Sequence, residues 1–155
     1  MASKSLKIGK TLRPTTLWVH PEGRGTGSIF VQPETDNISG DKPADVLNMD
    51  VPFLVIQKRD PAEIRFYNRS AIIRAESPKS GTDLSEDSHT YNCQLMMMDG
   101  SVINGMIQES LPSEYSRLYD YLNQTADRFI KLLSNYATTY LINKSYVTQI
   151  LSENG

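Results

Sequence analysis

Phe66-Tyr67-Asn68-Arg69-Ser70-Ala71-Ile72 and Leu141-Ile142-Asn143-Lys144-Ser145-Tyr146-Val147 decide how the chain is read. In each, an apolar run enters Asn, a basic residue and Ser, and leaves on further apolar residues. Working outward, Gly27-Ser28-Ile29-Phe30-Val31, Ala44-Asp45-Val46-Leu47-Asn48 and Pro52-Phe53-Leu54-Val55-Ile56 precede the first stretch. Gly105-Met106-Ile107, Tyr119-Asp120-Tyr121-Leu122-Asn123 and Arg128-Phe129-Ile130-Lys131-Leu132 precede the second in the same order. Asp45 and Asp120, Leu47 and Leu122, Asn48 and Asn123, Phe53 and Phe129, Asn68 and Asn143, Ser70 and Ser145 fall into register at shifts of 75 or 76. One spacing held across four blocks is the mark of internal repetition. The expectation is two tandem copies, at 10–76 and 89–153, with a linker at 77–88 that is rich in Ser, Gly and acidic residues.

Each copy is read as mainly β with one short helix. Leu17 and Val19 alternate with Thr16 and Trp18, predicting a strand over Thr15–His20, a turn at Pro21–Gly25 and a second strand over Gly27–Gln32. In the second copy Tyr91–Met98 and Ser101–Gln108 flank Asp99-Gly100, the dipeptide of two-residue type I′ hairpins. Leu118, Tyr121 and Leu122 stand at i, i+3, i+4, a helical stripe that Ser113 or Ser116 would cap. Asp41 and Pro43 open a shorter helix in the first copy. Three strands follow in each: Phe53–Lys58, Glu63–Tyr67 and Ala71–Ala75, then Arg128–Leu133, Thr138–Ile142 and Tyr146–Leu151. Asn tolerates left-handed backbone and bonds nearby main chain, so Asn68 and Asn143 each hold a tight turn on the structural reading. On the functional reading, Asn68 with Arg69 and Asn143 with Lys144 project from the corner as ligand-binding pairs.

Composition narrows the class. A formal net charge of −2 gives no overall attraction to phosphate or anionic lipid, so nucleic acid is disfavoured. Cys93 is alone and reads as a buried apolar thiol. Methionines 96–98 alternate sides of a strand and cannot converge on one ion. His20 and His89 lie far apart in sequence, and Gly23-Arg24-Gly25-Thr26-Gly27 lacks the Gly-Lys-Ser/Thr of a phosphate loop and leads into a strand. No cofactor, metal or catalytic residue is expected. The polar N-terminus lacks a signal-peptide core and no run approaches a membrane span, which makes the cytoplasm the expected location.

Strand, strand, short helix and three strands closing on a basic turn resemble small SH3-like or Sm-like β-barrels. Phe66 to Ile72 is similar to the second Sm signature, with Ser70 and Ser145 where that turn commonly has Gly. The chain also resembles an uncharacterised family of small bacterial proteins with the pattern R-L-x-D-x-L-N, F-I-x-L and N-K-x-x-V, matched by Arg117 to Asn123, Phe129 to Leu132 and Asn143 to Val147.

The expectation for function is a non-catalytic binding, adaptor or assembly protein working through protein–protein contacts, self-association included, by its sheet edges and by Tyr115, Tyr119 and Tyr121. An Sm-like module for RNA or single strands would use Arg69, Lys144, Trp18 and Tyr67 for charge and stacking. A sensor of cyclic dinucleotides or another small ligand would use Arg13, Arg24 and Arg69 for phosphate contacts. Candidate binding residues are therefore Asn68, Arg69, Asn143, Lys144, Tyr115, Tyr119 and Tyr121.

Overall fold

The computed structural model describes residues 11–32, 42–78, 89–109, 118–124, 126–134 and 138–153. Among them are ten antiparallel strands and two short helices, so the chain is mainly β. It divides into two compact units, Met1–Ser77 and Pro78–Gly155.

The first unit holds β1 (Thr11–Val19), β2 (Gly23–Val31), α1 (Pro43–Leu47), β3 (Phe53–Lys58), β4 (Glu63–Asn68), a 3-10 turn at Arg69–Ala71 and β5 (Ile72–Pro78). Its strands lie in the order β5-β1-β2-β3-β4. The second holds β6 (His89–Met97), β7 (Val102–Glu109), α2 (Leu118–Gln124), β8 (Phe129–Leu133), β9 (Thr138–Asn143), a 3-10 turn at Lys144–Tyr146 and β10 (Val147–Ser152), in the order β10-β6-β7-β8-β9.

Cross-strand pairs correspond residue by residue. Ile29 faces Ile56 in one unit and Ile107 faces Leu132 in the other. Phe53 faces Asn68, and Phe129 faces Asn143. Trp18 faces Arg74 and Val19 faces Ile72, leaving Ile73 as an extra residue; Met96 faces Gln149 and Met97 faces Val147, leaving Thr148 as the extra one. Such a bulge strengthens the local twist of the last strand against the first.

Alternation sorts the side chains. Leu17, Val19, Ile29, Leu54, Ile56 and Ile72 are buried beneath one unit, and Cys93, Leu95, Met97, Ile107, Ile130 and Leu132 beneath the other. Burial is the ordering force here, since each such aliphatic side chain contributes about 1.5–3 kcal/mol when removed from water. Cys93 has its thiol pushed to higher pKa by desolvation. Met97 is buried while Met98 is 61% exposed, in keeping with opposite faces.

Several expectations need correction. Gly23 to Gly25, expected in the turn, already belong to strand β2, where they pair with Val19 to Leu17 of β1. Gly27 answers to a close crossing instead: a Cβ there would stand 2.5 Å from Ile56 Cγ2 and 3.1 Å from the Gln57 carbonyl. Gly105 has the same crowding from Leu132 Cγ at 2.6 Å and the Leu133 carbonyl at 2.8 Å. The second hairpin is not type I′, because Gly100 alone has positive φ, +88°. Asp99 accepts the Ser101 N–H at 2.9 Å and Gly100 donates to the Met97 carbonyl at 3.0 Å, giving a three-residue loop with Gly in the left-handed position. Ser77 and Pro78, expected in the linker, end β5, with Ser77 buried. The remainder of that linker and the expected caps Ser113 and Ser116 lie outside the described residues, while the N-cap of α1 is Lys42 rather than Asp41, its N–H taken by the Asp45 carboxylate. Neither sheet closes into a barrel, because no pairing joins β4 to β5 or β9 to β10 among the described residues.

Gly27→Ala is expected to lower the unfolding free energy by about 1–3 kcal/mol through overpacking against β3. Gly25→Ala, whose Cβ would meet only the Lys58 ammonium at 3.5 Å, is expected to change it far less. Urea unfolding of both variants checks the difference.

Candidate functional site

The two corners are built alike from the main chain outward. Asn68 has φ −67° and ψ 124°, and its side-chain oxygen accepts the Ser70 N–H at 2.9 Å. Asn143 has φ −70° and ψ 117°, and accepts the Ser145 N–H at 3.0 Å. Left-handed backbone is therefore not the reason for Asn; each caps a turn of 3-10 helix with its amide oxygen. The next residue donates its N–H to the residue before the third strand, Arg69 to the Pro52 carbonyl at 2.7 Å and Lys144 to the Arg128 carbonyl at 2.9 Å.

What the two basic side chains do differs. Arg69 is 2% exposed and does not project. Its guanidinium donates to the carbonyls of Leu47 at 3.2 Å, Val46 at 2.8 Å and Val51 at 2.9 Å, and also to that of Phe53. It ties the C-terminal end of α1 and the segment after it to β4, where helix carbonyls lack intrahelical donors. At the N-terminal end of α1, Asp45 accepts the Lys42 N–H at 2.8 Å and braces its own helix. Arg69 is thus a structural bracket.

Lys144 is half-buried and lines a cleft of about 390 Å³. Leu122 and Asn123 of α2, Ile130 of β8 and Val147 to Ile150 of β10 form the rest of its wall. Burial lowers the pKa of the Lys144 ammonium, and the neighbouring Asp127 carboxylate offsets part of that shift. Asn123 donates to the Tyr119 carbonyl at 2.9 Å, which fixes its amide at the end of α2.

A third feature lies on β4, the last strand in the order of its sheet. Val55 faces Phe66 and Gln57 faces Ile64, so Phe53, Val55, Ile64 and Phe66 share one face. Phe66 is 67%, Phe53 51% and Ile64 46% exposed. The opposite face of β4 carries Glu63, Arg65 and Tyr67, of which Arg65 and Tyr67 line a smaller cleft of about 190 Å³ with Arg24, Lys58 and Leu17. Its cations are engaged: Arg65 with Glu63 at 2.7 Å, Lys58 with the Thr26 carbonyl at 2.7 Å, and Arg24 over the Trp18 ring at 6.0 Å.

The remaining residues named from sequence are scattered. Tyr115 lies outside the described residues. Tyr119 is 69% exposed and Tyr121 half-buried, and two residues apart on a helix they point to different sides, so they form no single cluster. Trp18 carries Arg74 at 4.0 Å from its ring centroid, an arrangement that occupies the stacking surface. Arg13 stands five residues along β1 from the Trp18–Arg24 pair, about 16 Å in a strand. Arg13, Arg24 and Arg69 are therefore not brought together. Reading from sequence missed the exposed face of β3 and β4; the signal was the alternation in Glu63-Ile64-Arg65-Phe66-Tyr67, which has aromatic or aliphatic residues on both sides.

Arg69→Met is expected to cost about 3 kcal/mol or more, because four carbonyls lose a charged donor. Asn68→Ala, at an exposed cap, is expected to cost about 1 kcal/mol, and thermal and urea unfolding check both. Compared with protein-family models, with curated proteins and with solved structures, the chain matches none, so its site is read from its own residues.

Proposed function

We propose that this is a non-catalytic binding or assembly protein that takes a strand of a protein partner along β4. The observation that carries the reading is the reversed patterning of that strand. An ordinary surface strand turns its apolar residues inward, whereas β4 turns Ile64 and Phe66 outward beside Phe53 and Val55. It also ends the order of its sheet, so its outer main-chain groups have no strand partner among the described residues. An exposed edge offers hydrogen bonds to an added strand, and alternate apolar side chains offer it specificity.

The two units are read as tandem copies of one SH3-like or Sm-like module, for which the matching cross-strand pairs and matching Asn corners are the support. A cytoplasmic location suits the reading; no helix among the described residues is long and apolar enough to cross a membrane. The nucleic-acid alternative is weakened by the seating of Arg69 and by the Arg74–Trp18 stack, and the cyclic-dinucleotide alternative by the separation of Arg13 from Arg24.

Affinity capture from lysate of the source cells, with nuclease, tests the reading when wild type is run beside Phe66→Lys and Ile64→Lys. A protein captured by wild type and lost by both variants is expected. Both sites are exposed, so stability should stay within about 0.5 kcal/mol of wild type. Capture that is indifferent to these substitutions, or that yields RNA alone, overturns it. A captured species that proves to be a second copy of the chain makes the assembly homomeric through the same edge.

A further inference from the structure

We propose that the strand taken along β4 is β10 of a second copy of this chain, so that copies join head to tail. This names the occupant of the β4 edge and rests on the strand-binding reading given above. Among the described residues β4 and β10 are the two strands without a single buried residue, and each ends the strand order of its unit. The strands at the other ends of those orders differ: β5 buries Ile72, Ile73 and Ala75, and β9 buries Thr139, Leu141 and Ile142. The exposed faces of β4 and β10 also match. Ile64 and Phe66 lie away from the core, because Arg65 and Tyr67 pair with the buried Ile56 and Leu54. On β10, Ile150 and Ser152 pair with the buried Leu95 and Cys93, which turns Leu151, 59% exposed, to the outer face. Both strands are six residues long, and Gln149 to Ser152 pair regularly with β6 beyond the bulge at Thr148. Antiparallel addition sets Leu151 beside Ile64 and Phe66, and apolar cross-strand pairs of this kind stabilise a sheet.

Charge favours β10 over a second β4. On β4, Glu63 and Arg65 neutralise each other at 2.7 Å, and β10 brings no ionisable side chain against them. An edge strand that stays apart from other chains is ordinarily guarded by charge or proline, and Val147 to Ser152 have neither. Pairing β4 with its own copy so that Ile64 meets Phe66 would set Arg65 against Arg65, a like-charge pair. The register with Phe66 on Phe66 leaves Ile64 against Asn68. Because the two edges differ, each copy has one of each to offer, and association runs on until the copies close on themselves.

Light scattering on size-fractionated protein tests this with two blocked forms, Ile64→Lys with Phe66→Lys for the β4 edge and Gln149→Lys with Leu151→Lys for the β10 edge. All four sites are exposed, and cooperative thermal melts check that both forms fold. Wild type is expected at a mass of two or more chains, and each blocked form alone at the mass of one. An equimolar mixture is expected to give a two-chain complex that grows no further, since one intact β4 meets one intact β10. Wild type at the mass of one chain, self-association of the β10-blocked form, or a mixture of folded forms that stays monomeric would each overturn the proposal. A monomeric wild type whose capture of another protein still depends on Ile64 and Phe66 overturns the second copy and leaves the β4 edge standing.

Discussion

The amide oxygen of Asn68, and that of Asn143 in the second unit, holds the N–H two residues on, and this single contact sets the corner from which each sheet turns back to its first strand. Much else follows from it. The residue after Asn is held over the segment that enters the third strand, by its own N–H. The residue two beyond Ser then meets the first strand, where a one-residue bulge absorbs the change of direction. His20 donates to the Ala71 carbonyl at 2.9 Å and Met98 to the Tyr146 carbonyl at 2.8 Å, tying the hairpin tips to the corners. A corner made by a side-chain cap needs no unusual backbone angle, so the residue after Asn is free to vary in chemistry without disturbing the chain path.

That freedom is where the two units part. Arginine at the first corner gathers four carbonyls and closes the space against α1. Lysine at the second stands at the wall of a cleft between α2 and β10. A second divergence lies on the fourth strand: Ile64 and Phe66 are exposed, while their counterparts Thr139 and Leu141 are buried. The units thus share main-chain hydrogen bonding and differ in which surfaces carry apolar groups, and the proposed strand-docking edge sits at one such point of difference.

Strand and helix order were legible in the sequence because they rest on local rules. The Asn-x-Ser corners, the alternation in Leu17 to Val19 and the spacing of Leu118, Tyr121 and Leu122 each report their element directly. The start of β2 was not, because Gly23 to Gly25 read as turn chemistry until their pairing with Val19 to Leu17 is known. The fate of Arg69 was hidden for the same reason: a basic residue after a turn reads as exposed, and its four acceptors lie sixteen to twenty-three positions away in the chain. Lys144 was named from sequence, but its apolar surroundings come from α2, β8 and β10 and have no local signature. The loop at Asp99 shows the opposite limit, where a dipeptide rule was outweighed by the carboxylate's own bond to Ser101.

Backbone hydrogen exchange resolved to single amides reads the corners and the β4 edge together. Slow exchange is expected at Ser70, Ser145, Arg69 and Lys144, whose N–H groups are bonded in the corners, and alternate fast exchange along β4, whose outer amides have no strand partner among the described residues. Uniform protection along β4, or fast exchange at the corner amides, would contradict an open β4 edge and side-chain-capped corners.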